Sequence, residues 1–174
     1  MLKWIGAERR HEQPATHPLF DVVSMDCRVR LIDIDRNLQL GTGTYTKIMD
    51  RCRREHGRLT GLLGHIANAR INVVLANTEI AYVRELRPYQ RFQVHTRVLG
   101  WDDKYLYYDQ RFDSQNKLHT HALHRLACLH GGKTVSTSAL QEALGHTRPS
   151  PPLPEYVESW KTLLHNKRRL TERH

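Results

Sequence analysis

Tyr45, Ile48, Met49 and Cys52 fall at i, i+3, i+4 and i+7, while Lys47, Asp50, Arg51, Arg53, Arg54 and Glu55 occupy the other positions. This spacing predicts an amphipathic helix with one buried stripe, the one long central helix of the chain. Thr42 or Thr44 can cap its start, and Gly57 and Gly61 leave its end open between the two glycines. The remainder up to Gly131 reads mostly as strand. A lone sheet must bury one face, and the stripe of this helix is the large apolar partner available to it. The chain is therefore expected to be α+β, with a curved antiparallel sheet wrapped around one long central helix.

The strands carry their own signals. A partly alternating run from Asp21 to Ile34 reads as the first strand, and the β-branched run from Ile71 to Tyr82 as a long one, ended by Leu86-Arg87-Pro88-Tyr89. Phe92, Val94, Thr96 and Val98 alternate with Arg91, Gln93, His95 and Arg97, which predicts one buried and one wet face. Gly100 to Lys104 and Asp113 to Lys117 make hairpin turns into Tyr105–Phe112 and Leu118–His130, so the strands form an antiparallel meander. A short helix around Ser138 to Leu144 follows. Val157, Trp160, Leu163 and Leu164 then predict an extra C-terminal helix that turns basic at Lys167-Arg168-Arg169 and packs on the body or on a neighbouring subunit. Three segments result: a polar lead over 1–20, the main domain over 21–148, and a Pro-rich linker with the basic helix over 149–174. This element order is that of the hot-dog fold, whose exposed edge strand implies a homodimer or a dimer of dimers.

With 174 residues, 39% of them hydrophobic and 26% charged, the chain has the make-up of one globular domain. No apolar run approaches the roughly 20 residues that span a bilayer, and no secretory signal opens the sequence, so a cytoplasmic location is expected. Three widely spaced cysteines indicate neither a disulfide framework nor a zinc knuckle. The net charge of +9 favours anionic partners.

Asp35 stands ten residues before Tyr45, ahead of Gly41-Thr42-Gly43-Thr44 at the helix start. A carboxylate beside the unpaired N–H groups of a helix start can attack an acyl carbonyl, or activate water, while those groups polarise the carbonyl. Its structural alternative is a carboxylate that caps a turn.

The frame Asp35-Arg36-Asn37-Leu38-Gln39-Leu40-Gly41-Thr42-Gly43-Thr44-Tyr45 resembles the Asp-x-x-Gly-His-x-Asn-Asn-x-x-Tyr signature of the 4-hydroxybenzoyl-CoA thioesterase-like branch of the hot-dog acyl-CoA thioesterases. Ile80 to Phe92 and Leu99 to Lys104 resemble that family's next elements, so the likeness covers roughly residues 22 to 145. Leu38 stands in place of the family's Gly, Gln39 of its His, and Gly41-Thr42 of its Asn pair. The resemblance implies hydrolysis of an acyl-CoA or acyl-carrier-protein thioester, with Asp35 and Thr42 as catalytic positions, Thr42 acting through its backbone N–H. It implies that Gln39, Gly41, Gly43 and Tyr45 bind substrate, that Arg84 and Arg87 meet CoA phosphates or an acidic carrier, and that neither cofactor nor metal takes part. The apolar helix stripe would line the acyl pocket. A non-catalytic acyl-thioester binding protein and a basic nucleic-acid-binding module are the competing functions.

Asp50 is the reserve carboxylate, with solvated pairing to Arg51, Arg54 or Lys47 as its structural alternative. His119, His121 and His124 are expected as exposed strand residues rather than metal ligands, since only His119 and His121 share a face. Tyr105, Tyr107 and Tyr108 could stack bases but suit an ordinary strand as well.

Overall fold

The computed structural model describes residues 15–145 and 150–171. In chain order the elements are β1 (Val23–Arg28), α1 (Thr42–Leu59), α2 (Leu62–Asn68), β2 (Asn72–Tyr82), β3 (Arg91–Trp101), β4 (Tyr105–Ser114), β5 (Lys117–His130), β6 (Lys133–Val135), α3 (Thr137–Ala143) and α4 (Glu155–Thr171). All strand pairs are antiparallel in the order β1-β3-β4-β5-β2, with β6 on the end of β5. β1 and β2 are thus the two sheet edges.

The inner face of the sheet holds α1. Tyr45, Met49 and Cys52 pack with Phe92, Val94, Phe112 and Ala122 in one buried cluster, which also takes in Leu40 and Leu86 from the flanking loops. A second cluster surrounds α2, where Leu62 and Ile66 meet Val73, Val98, Leu106 and Leu126. On the outer face α4 lays Val157 and Trp160 on Leu99, Tyr107 and Leu123, so the C-terminal helix packs on the body of its own chain. This is the hot-dog arrangement that the element order predicts.

Three local expectations are corrected. The first strand stops at Arg28, and a 3₁₀ turn over Leu31–Asp33 takes its place. The stretch after α1 is helix, not strand: Gly61, at φ +74°, ends α1 and starts α2. Gly57 lies inside α1, where a Cβ would stand 3.0 Å from the Leu63 side chain of α2. Gly41 is the N-cap of α1, and Thr42 is already helical.

Residues 15–20 lie against the end of α1, where the Thr16 N–H donates to the Leu59 carbonyl at 2.8 Å and Phe20 stacks on Trp101. Most of the polar lead and the linker residues 146–149 lie outside the described residues. No described helix is long and apolar enough to cross a membrane.

Candidate functional site at the start of the central helix

The segment before α1 folds into a small hairpin closed by a bridge between Ile34 and Leu40. The Asp35 N–H donates to the Gln39 carbonyl at 2.8 Å, and the Leu38 N–H to the Asp35 carbonyl at 3.2 Å. The Asp35 carboxylate accepts the Asn37 N–H at 2.8 Å, an Asx turn that fixes the side chain at the mouth of the hairpin. Leu38 adopts φ +57°, a left-handed conformation that a glycine accepts without cost. Beneath it, Asp33 is held by Arg30 at 2.9 Å, and that bond draws its carboxyl below the usual carboxylate range.

The hairpin delivers Asp35 to the helix start. The Gly41 N–H donates to the Asp33 carbonyl at 2.9 Å, and a Cβ on Gly41 would stand 3.6 Å from the Asp35 Cβ. The Thr44 and Tyr45 amides close onto the Gly41 carbonyl. Among the described residues no side chain caps α1, and the amides of Thr42 and Gly43 precede the first intrahelical bonds. Both residues are exposed, and a Cβ on Gly43 would meet nothing within 4 Å. A carboxylate thus lies beside unpaired, outward-facing N–H groups at the positive end of a helix dipole.

The other predicted residues are placed differently. Gln39 is half-buried beside Asp35. Tyr45 is buried against Phe112 and Tyr82, with ring centroids 5.3 and 5.1 Å away. Burial pushes its hydroxyl pKa up. Arg84 and Arg87 lie on the β2–β3 connection, whose Leu86 carbonyl accepts the Leu40 N–H at 2.8 Å. Their guanidinium groups go to the Leu118 carbonyl and to Glu85. Met49 and Cys52 belong to the core, and of the helix stripe Ile48 alone stays half-exposed.

A buried polar network under α1 is absent from the sequence expectations. Arg53, assigned to the wet face, is 7% exposed. Its guanidinium donates to Gln110 Oε1 at 3.2 Å, while Gln110 Nε2 donates to Thr96 Oγ1 and to the Met49 carbonyl. Asp50 pairs with Arg53 and Arg54, each at 3.4 Å. His56 bonds Tyr108 and the Asp21 carbonyl, and burial pushes it down to about 4. His124 bonds Thr78 of β2, its pKa driven well down by burial and by the nearby Arg53 charge. His119 is buried too, its ring bonded to the Glu85 carbonyl, so neither it nor His124 is the exposed residue expected. The signal lies in position: Arg53 and His56 continue the Tyr45–Met49–Cys52 stripe, and Gln110 and His124 stand two residues from the inward-facing Tyr108, Phe112, Ala122 and Leu126, on the same strand face.

The outer face offers no stacking platform at the tyrosines. Tyr107 and Tyr108 are buried, and the Arg125 guanidinium covers the Tyr105 ring at 4.0 Å. His121 is tied to Asp109, which also accepts Arg97 at 3.0 Å. Among the described residues no group of three His, Cys, Asp or Glu side chains converges as a metal site.

Comparison with known proteins adds a family. The model of the thioesterase-like superfamily matches residues 29–160. Protein THEM6 of Danio rerio is 31% identical over 113 residues, which are 65% of this chain and 55% of that protein. The chain spans about half the length of the curated relatives it matches, 55% and 48% for the THEM6 proteins of Danio rerio and Xenopus laevis. Among solved structures, the DHNA-CoA thioesterase of Staphylococcus aureus superposes with a TM-score of 0.60 at 15% identity, over 71% of this chain and 89% of that one. A second protein of that organism, SAV2348, solved in complex with CoA, gives a TM-score of 0.61 at 15% identity, over 81% and 94%. At such identities the likeness establishes the fold alone.

Proposed function

The chain belongs to the thioesterase-like superfamily, whose model spans most of its length, and on that premise we propose that it hydrolyses an acyl-CoA or acyl-carrier-protein thioester with Asp35 as nucleophile or general base. The observation that carries this is the juxtaposition of the turn-locked Asp35 with the open first turn of α1. The substrate carbonyl oxygen would accept the Thr42 and Gly43 N–H groups, which offset the negative charge that builds on it. Asp35 would attack the carbonyl carbon, or take a proton from the water that does, and the thiolate would leave. Gln39 would support the carboxylate or substrate, and Tyr45 would bound the acyl channel. The exposed arginines of the β2–β3 connection would receive the phosphates or acidic surface of the carrier.

Edge strand β2 supports pairing with a second copy, since Leu75 and Tyr82 stand half exposed along it. We place the homodimer contact there, as the start of a dimer or a dimer of dimers.

The test is steady-state hydrolysis of a panel of acyl-CoA and acyl-carrier thioesters. Asp35→Asn is expected to lower kcat at least about 100-fold, within the range of a lost acid–base group. Full activity in that variant would remove Asp35 from the chemistry. Thr42→Pro isolates the amide, because the first helical position tolerates proline while losing its N–H. It should cost about 100-fold in kcat with little loss of stability, whereas Thr42→Ala should be nearly silent.

A further inference from the structure

α4 has one side on its own chain and one turned away from it. Val157 and Trp160 are buried on Leu99, Tyr107 and Leu123, and Lys161 reaches Asp102 at 3.4 Å, so the helix is fixed along that side. Beside this seam Tyr156, Leu163 and Leu170 stand 43%, 50% and 64% exposed. They recur every seven residues, two helical turns, and therefore form one apolar line along the free flank. The line runs nearly the whole helix, about 21 Å at 1.5 Å per residue. A spacing of seven is the repeat by which two helices keep a common seam. The charges beside it are sorted by end, with Glu155 and Glu158 in the first turn and Arg168 and Arg169 in the last. Glu158 is engaged by Lys161 of its own helix at 3.1 Å. Glu155 and Arg169 are exposed on one side of the line, each a residue before an apolar rung.

From this arrangement we infer that two copies of the chain pair through α4, antiparallel, about a twofold axis at Leu163. Leu163 then meets Leu163 of the partner subunit on the axis, and Tyr156 meets Leu170 of the partner subunit at each end. Glu155 faces Arg169 of the partner subunit, and the symmetry repeats that pair. Ser159 and Asn166, both exposed between the apolar rungs, meet across the axis as polar layers of the kind that fix the register of such a seam. A parallel pairing would set like charge against like at both ends, so Glu155 and Arg169 select the antiparallel one. Opposed helix dipoles act in the same direction. An anionic membrane, the other surface that takes apolar residues flanked by basic ones, would meet the acidic first turn at one end of the line. The contact lies on the outer face of the sheet. It is additional to the pairing along β2 and rests neither on that pairing nor on thioester hydrolysis.

Analytical ultracentrifugation of the full chain over a range of concentrations reads the assembly. Leu163→Glu puts two carboxylates on the axis and should halve the mass of the largest species, from tetramer to dimer if the β2 edge also pairs and from dimer to monomer if it does not. Far-UV circular dichroism should be unchanged, because Leu163 is half exposed. Arg169→Glu should raise the dissociation constant of this contact at least about tenfold, and adding Glu155→Arg to it should restore the parent value. On mild oxidation Leu163→Cys should give an inter-chain disulfide mapped to position 163. Glu155→Cys should give none at 155, since antiparallel copies hold those two positions about 24 Å apart along the seam. A chain that is monomeric at every concentration, a mass indifferent to Leu163→Glu, or cross-linking at 155 in place of 163 overturns the inference. So does binding to phosphatidylserine vesicles that Leu163→Glu abolishes without a change of mass, which would assign the line to a membrane surface.

Discussion

Gln110→Met should destabilise the fold by about 3 kcal/mol although the two side chains are close in volume, because a buried charge loses its neutral acceptor. Gln110 is fully buried, and its amide serves Arg53, Thr96 and the Met49 carbonyl. A thioether replaces none of these bonds. The Arg53 bond is charge-assisted, and losing it in a dry site costs about 1.5–3 kcal/mol. The Thr96 hydroxyl loses a donor for about 1 kcal/mol more, while the Met49 carbonyl, in mid-helix, keeps its intrahelical donor. Arg53→Met should cost less, since it removes the charge itself and leaves the neutral Gln110 amide oxygen unpaired, while Asp50, which also loses Arg53, keeps Arg54. The double variant Arg53→Met/Gln110→Met should return to within about 1 kcal/mol of the parent, as apolar replacements of buried ionic groups often do. Urea unfolding of all four proteins at pH 7.5, followed by far-UV circular dichroism, closes the cycle. A Gln110→Met cost below about 1 kcal/mol, or strictly additive single costs, would refute a desolvated, Gln110-dependent Arg53.

Leu38→Gly should stabilise the protein by about 0.5–1 kcal/mol, because Leu38 is 67% exposed at φ +57° and glycine relieves the left-handed strain; the thermal midpoint should rise by about 2 °C. Stability should fall as pH drops from 6.5 toward 4, because His56 stays neutral in the fold down to about 4 while the unfolded chain takes up its proton from 6.5. The loss amounts to about 3 kcal/mol for His56, added to by His124, and His56→Gln should flatten the urea midpoint over that window. Trp160→Ala should cost about 3 kcal/mol and release α4, seen as hydrogen exchange rising along Glu155–Thr171 and not in α1.

The long periodic elements were legible from local chemistry. Tyr45 to Cys52 repeats at helical spacing, Phe92 to Val98 alternates, and the turn at Asp102-Asp103 separates strands long enough to be unmistakable. α2 was not legible, because seven residues hold too few turns of the helical repeat to stand out from a strand. Arg53 and His124 were misplaced for a related reason: a pattern of polar and apolar types sends every charge to water, and only partners from other elements make burial of a charge tolerable. At the candidate site, Asp35 and the Gly41–Gly43 backbone were visible as a spacing, whereas the Arg84 and Arg87 side chains turned out to be engaged by Leu118 and Glu85.

By itself, then, the sequence determined the long central helix and the main strands, that one sheet must close on one helix, and that a carboxylate precedes the helix start, since these follow from patterns within a few residues. Tertiary structure alone decided that the bond between the Gly41 N–H and the Asp33 carbonyl brings Asp35 to the start of α1, and that Arg53 is housed by Gln110. Each of these depends on the distance between groups on different elements, which register and packing set and local spacing does not carry.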